Sequence, residues 1–398
     1  MRDIRLWGRF AATTLALLLA SCGGSDPTVP GSGSPAGAPT TKGAFTAVVS
    51  FGDSLSDIGA YSPATSLAGD GSAPYFGGKF TTNSATGTVF VENLATSLGL
   101  LTTPAEVGFN GQSVKCPAAA VGLGTTCTGY GQGGSRVTDP NGIGHDPATG
   151  AGALTVPVKA QIANHLARFT SFKDTDLILV FAGNNDVFVQ FGTFAANAAQ
   201  IQTDAAAGKI TSDQANQALF AAQTAAQAEM KKAALELAGY VTTQIIAKGG
   251  KYVAVFNLPD SAKTPFGASL PANASPVLTT LVETFNLWLR DGLTNQPVYW
   301  YDTFTTFHDV YASPAKYGFS NNTVPACDAT KISAITGGAV TDGSSLFCNS
   351  TPGAPYNGLR TGADVATWQF ADGVHPTTGG HKVFSDDIVK QLQAAGWI

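Results

Sequence analysis

The sequence predicts an α/β fold built on a parallel sheet with helices on both faces. Four short apolar runs rich in β-branched and aromatic residues read as buried strands: "AFTAVVSF" from Ala44, "DLILVFAG" from Asp176, "KYVAVFNLP" from Lys251 and "QPVYWYDT" from Gln296. Segments with helical periodicity separate them, and that alternation argues for parallel pairing. At 398 residues and 44% apolar content, the chain can bury one large core.

The amino terminus is set apart from the fold. Arg2, Arg5 and Arg9 flank "FAATTLALLLA", an apolar stretch too short to span a bilayer, and "LASC" follows. This resembles a bacterial lipobox. The resemblance implies cleavage before Cys22, a diacylglycerol on its sulfur and an acylated amino group, which together give stable membrane anchoring. Gly23 after the cysteine is compatible with transfer to the outer membrane; without lipidation the chain would be secreted. Residues 1–21 are then a signal peptide. Residues 22–43, rich in Gly, Pro, Ser and Thr, read as a flexible tether, with the folded domain starting near Ala44 and running to Ile398.

Within that domain the first run ends at Gly52, where a turn follows. "VPVKAQIANHLARFTSF" precedes the second strand as a helix. Between the second and third strands, residues 191–248 form an Ala- and Gln-rich section in which Thr211 and Gln214 make a capping box. It reads as one long helix packed on the sheet, with a lid over a cleft as the functional alternative. Between the third and fourth strands, Leu278, Leu281, Val282, Phe285 and Leu289 mark an amphipathic helix, and Val383, Ile388 and Leu392 mark a closing one.

Charge and cysteines narrow the function. With 22 basic and 27 acidic residues there is no basic stripe for nucleic acid. Export makes disulfides the default for Cys116, Cys127, Cys327 and Cys348. Four cysteines allow three pairings, and Cys116 with Cys127 and Cys327 with Cys348 are favoured because each pair closes a short loop. Neither pair has C-x-x-C spacing and no HExxH occurs, so no metal or cofactor is expected. Nothing in the sequence points to a protein partner.

Ligands of open α/β sheets bind beyond the carboxyl ends of the strands. Ser54 in "GDSL" follows the first strand, Asn185 in "GNND" follows the second, and "GYGQGGSRV" lies in the loop between. Near the carboxyl terminus "FADGVHPT" holds Asp372 and His375. A serine hydroxyl needs a base to become a nucleophile; His375 can take its proton while Asp372 fixes the imidazole tautomer. The Ser54 and Gly134 N–H groups and the Asn185 amide would face the developing oxyanion. Asp57 and Asp186 read as acceptors that hold these loops, and His381 as a structural side chain. His145, His165 and His308 lie in no motif.

"FGDSLSDIG", "GQGGSRV", "GNND" and "DGVHP" occur in the order found in the SGNH hydrolases, the GDSL esterases and lipases, and the chain resembles that superfamily over residues 44–398. "NLPD" with "TPF" is similar to a further block of the family. The resemblance implies a flavodoxin-like three-layer α/β/α sandwich. It also implies nucleophile, oxyanion and base roles for Ser54, Gly134, Asn185 and His375, with Asp372 completing the triad. Gly129 stands where many members have Asn, and "GDSLS" is not the GxSxG elbow of α/β-hydrolases. The expected function is a serine esterase or lipase acting on an ester substrate. A phospholipase or lipid acyltransferase of the same fold and a non-catalytic binding lipoprotein are the alternatives.

Overall fold

The structure is a computed structural model that describes residues 31–353 and 356–398. Cys22 and the expected signal peptide lie outside the described residues. The sheet strands are β1 (Ala47–Gly52), β2 (Thr103–Pro104), β5 (Cys127–Gly129), β6 (Asp176–Phe181), β7 (Tyr252–Phe256) and β8 (Tyr299–Tyr301), and a separate antiparallel hairpin joins β3 (Glu106–Phe109) to β4 (Gln112–Lys115). The sheet order is β2-β5-β1-β6-β7-β8, all parallel. Without the short edge strand β2 this is the flavodoxin-like order, whose connection reverses direction between β1 and β6.

The pleat shows how both faces become covered. In register Phe51 opposes Val180 and Gly52 opposes Phe181, so Phe51 and Phe181 point to opposite faces. Phe51 meets His165 and Phe172 on one side. Phe181 meets Phe256 and Phe384 on the other. The principal helices are α1 (Phe90–Ser97), α2 (Val158–Phe169), α3 (Asn184–Ala206), α4 (Ser212–Tyr240), α5 (Ser275–Gly292), α6 (Thr303–Ala312) and α7 (Thr378–Ala394). Helix α1 packs with α7, whereas α4 packs with α3 and α5. Buried residues of the strands and helices join in one core cluster.

Two expectations are corrected. The section between β6 and β7 is an antiparallel pair, α3 and α4, rather than one long helix. Gly208 adopts φ 68°, ending the first helix, and the Thr211 capping box starts the second. The tether is also shorter than residues 22–43. Ala36 N–H donates to Gln296 O, Gly43 N–H to Trp397 O, and the Trp397 indole N–H to Pro39 O at 2.6 Å. Small residues let this extended strip lie close to the domain while its backbone supplies the bonds. Disulfides join Cys116 to Cys127 and Cys327 to Cys348.

Candidate active site

The site begins where β1 ends. A Cβ at Gly52 would collide with the Phe181 carbonyl oxygen, so only glycine lets β1 and β6 stay paired to their ends. Gln161 on α2 clamps the same peptide: its Oε1 accepts from Gly52 N–H at 2.9 Å and its Nε2 donates to Gly52 O at 2.8 Å. Asp53 then caps a single 3₁₀ turn over Ser54–Ser56, accepting from Leu55 N–H at 3.1 Å and from Asn184 Nδ2 at 3.0 Å. Burial pushes the Asp53 carboxyl up to about 6 against these donors.

Ser54 thus stands at the carboxyl end of β1, buried but for its rim. Its Oγ lies 2.8 Å from His375 Nε2. His375 Nδ1 lies 2.9 and 2.8 Å from the two Asp372 oxygens. Asp372 also accepts the N–H groups of Ser345, Val374 and His375. Burial alone would raise this carboxyl, but His375 and these donors outweigh burial and hold it far below the usual carboxylate range. Phe80 covers the imidazole, ring centres 4.8 Å apart.

The loop after β5 is tied down at both ends by the two aspartates read as acceptors. Asp57 accepts from Gly59, Ala60 and Gly133 N–H groups, at 2.9, 2.7 and 2.9 Å. Asp186 accepts from Arg136 Nε at 3.0 Å and from Val137 N–H at 2.9 Å. Burial raises both acids, Asp57 to about 7. The Gly133 N–H is therefore occupied, whereas those of Gly134 and Ser54 have no acceptor among the described residues. Gly134 sits at φ 78°, and a Cβ there would strike the Ile143 carbonyl oxygen. Asn185, the second residue of α3, donates one amide hydrogen to Ser135 O at 2.9 Å, and the other has no acceptor among the described residues. The structure joins Ser54, His375 and Asp372 by hydrogen bonds, sets Asn185 on the same cleft, and carries Gly134 on the loop whose Ser135 carbonyl binds Asn185.

A family model for the GDSL-like lipase/acylhydrolases matches residues 48–388. The chain belongs to that family. Members are hydrolases acting on ester bonds, within the SGNH superfamily. A comparison with curated proteins returns no match. The match encloses all five residues of the site. This GDSL-like chain carries a cleft of about 240 Å³ opening at Ser54, Asn185 and His375, lined chiefly by aromatic and aliphatic side chains such as Phe188, Phe307, Phe319 and Phe370.

Some contributors left no mark in the sequence. Gln161 is a polar residue on an amphipathic helix, and only the fold shows its clamp on Gly52. Asn184 sits within "GNND", yet its tie to Asp53 spans 131 residues. His381 is buried; Phe90 N–H donates to its Nδ1 at 3.3 Å and its Nε2 faces Phe80 O at 3.4 Å. Burial pushes it down to about 3, so it stays neutral at ordinary pH. Among the described residues no three His, Cys, Asp or Glu side chains gather as a metal site, and no helix is long and apolar enough to cross a membrane.

Proposed function

We propose that the protein is a serine esterase or lipase that hydrolyses carboxylic esters through an acyl-enzyme. The observation that carries this reading is the continuous path from Ser54 Oγ through His375 to Asp372, each step within 3 Å. Ser54 Oγ attacks the acyl carbon while its proton passes to His375 Nε2, and the carbonyl electron pair moves onto oxygen. The Ser54 and Gly134 N–H groups and the free Asn185 amide hydrogen receive that oxyanion. Collapse expels the alcohol, which takes its proton from His375. Water then repeats the sequence, losing a proton to His375 and releasing the acid and free Ser54. Asp372, kept ionised by its donors, steadies the imidazolium at both stages.

The test is initial rates on nitrophenyl esters from acetyl to long acyl chains, with Ser54→Ala alongside. Hydrolysis that disappears with Ser54→Ala, and stoichiometric labelling of Ser54 by a serine-directed phosphonate, are expected. Hydrolysis that persists in Ser54→Ala overturns the assignment. We further propose that Cys22 carries a lipid that anchors the chain to the cell envelope. Metabolic labelling with a fatty acid should mark the expressed chain and be lost in Cys22→Ser; equal labelling of both refutes the anchor.

A further inference from the structure

The two backbone donors proposed for the oxyanion are aimed by different means. A trans peptide points its C=O and its N–H in opposite directions, so whatever holds one fixes the other. For Ser54 the turn itself does this: Asp53 O accepts from Ser56 N–H at 3.0 Å, which leaves the Ser54 N–H facing the other way. The Gly134 N–H shares its peptide with Gly133 O, and that peptide is trans.

Local structure does not fix this second peptide. Residues 132–135 form a β-turn closed by Ser135 N–H on Gln132 O at 3.2 Å, with Gly133 and Gly134 at its centre. Gly134 has φ 78°, the value that the third residue of a type II turn requires. Types I and II differ by roughly a half-rotation of the central peptide, and a Gly-Gly pair offers no Cβ to oppose it. The flanking peptides are held, Gly133 N–H by Asp57 at 2.9 Å and Gly134 O by Ile143 N–H at 3.0 Å. The central one makes a single hydrogen bond among the described residues, from the Tyr61 hydroxyl to Gly133 O at 2.6 Å.

That hydroxyl is committed to Gly133. Tyr61 is fully buried, and its oxygen accepts from Thr155 N–H at 3.2 Å, so its one proton goes to Gly133 O. Burial also keeps it protonated, raising the phenol well above its ordinary range. Its ring sits edge-on to Phe80 and Phe109, and Phe80 in turn covers His375. The turn lies against the site: a Cβ at Gly133 would strike Phe80, Ser135 O takes the Asn185 amide, and Ile143, like Asn185, lines the cleft. Resting on the esterase reading, we infer that Tyr61 is a positioning residue for the reaction, whose hydroxyl locks the Gly133–Gly134 peptide in the orientation that presents the Gly134 N–H to the oxyanion.

Tyr61→Phe on the full chain is the test, because it keeps the ring and deletes the hydroxyl. The readout is kcat/KM on a nitrophenyl ester divided by kcat/KM on the matching thionoester, whose sulfur accepts weaker hydrogen bonds from N–H groups in the tetrahedral intermediate. Such a ratio does not depend on how much of the variant is folded. Removing an oxyanion donor outright lowers kcat by about 10² to 10³; freeing the peptide to rotate leaves it aimed part of the time, so kcat on the ester should fall about tenfold with KM little changed. The ester-to-thionoester ratio should fall by nearly as much. An unchanged kcat, or equal losses on both substrates, overturns the inference and leaves the esterase reading standing. Should Tyr61→Phe turn over neither substrate, an alkylboronic acid replaces them, since its adduct with Ser54 places an oxygen among the same donors. Affinity weaker by about tenfold then supports the inference, and unchanged affinity overturns it. Absence of any Ser54-dependent hydrolysis in the unaltered chain removes both readings together.

Discussion

Ser54 and His375 are 321 positions apart in the chain and 2.8 Å apart in space, and what joins them is a set of single side chains. The proposed oxyanion donors show how finely this is decided. Asp57 occupies the Gly133 N–H, so the neighbouring Gly134 N–H is the one left to act. Removing the Asn185 amide by Asn185→Ala should lower kcat by about 10² to 10³ with a smaller change in KM. A parallel loss in KM alone would move Asn185 from the oxyanion to ground-state binding. A second prediction concerns His165, buried with neither ring nitrogen hydrogen-bonded among the described residues and stacked 4.3 Å from Phe172. Burial pushes it down to about 4. Between that value and the ordinary 6.5 the unfolded chain binds the extra proton, so stability falls as the pH drops through this window. By pH 4.5 the loss from this one group is about 2 kcal/mol. Urea unfolding at pH 7.5 and 4.5 should show His165→Phe losing less by that amount; equal losses would mean His165 does not titrate differently on folding. Ser54, Asp372 and His375 were legible because each lies inside a short, recognisable run, Ser54 just after a strand and the other two in the loop before the closing helix. Gln161 and Asn184 were not, because a side chain that clamps a distant peptide has no periodicity of its own.

Legibility changes from element to element for reasons of length and burial. Strands β1, β6 and β7 each run for five or six residues and are buried almost throughout, so they stand out as apolar runs. Strands β2 and β5 have two and three residues, and β5 takes its pairing from β1 and β2 from β5, which no local pattern records. The α3–α4 turn was hidden because Ala-rich helices continue the same composition through it. The loop between Cys327 and Cys348 has a mechanical role: its disulfide lies beside Ser345, whose N–H donates to Asp372 at 2.8 Å. Replacing both cysteines with serine should cost about 3 kcal/mol by freeing that loop in the unfolded state. It should also lower kcat, because Asp372 loses a fixed donor. The Cys116–Cys127 disulfide closes a loop away from Asp372, so its removal should cost stability alone. The two double variants, compared by unfolding midpoint and kcat at a temperature where both are folded, separate these effects. Equal kcat in both would deny the Cys327–Cys348 loop any part in positioning Asp372.

At the scale of the whole molecule, the site lies at the switch point between β1 and β6, and both ends of the domain are fastened beside Tyr252, at the amino-terminal end of β7. Trp397, fully buried, packs on Tyr252 with ring centres 5.2 Å apart. The strip of residues 34–43 covers it: Pro39 O takes the indole N–H, Lys42 O takes the Tyr252 hydroxyl, and Gly43 N–H returns to Trp397 O. A composition poor in large apolar residues concealed this docking, because the strip binds through its backbone and sequence patterns record side chains. A chain beginning at Ala44 loses these bonds and uncovers the indole to water, so it should be less stable than one beginning at Gly31 by roughly 2 kcal/mol, the sum of several net hydrogen bonds less the entropy of ordering the strip. Trp397→Phe removes the donor in either background. If the strip acts through that bond, the substitution will cost clearly more in the longer chain than in the shorter one. Urea unfolding of the four proteins measures the difference directly. Equal costs in both backgrounds would mean that the strip lies on the domain without holding it. The esterase activity of the shorter chain should match that of the longer one at temperatures where both are folded, because none of the strip's hydrogen bonds reaches Ser54, Asp372 or His375.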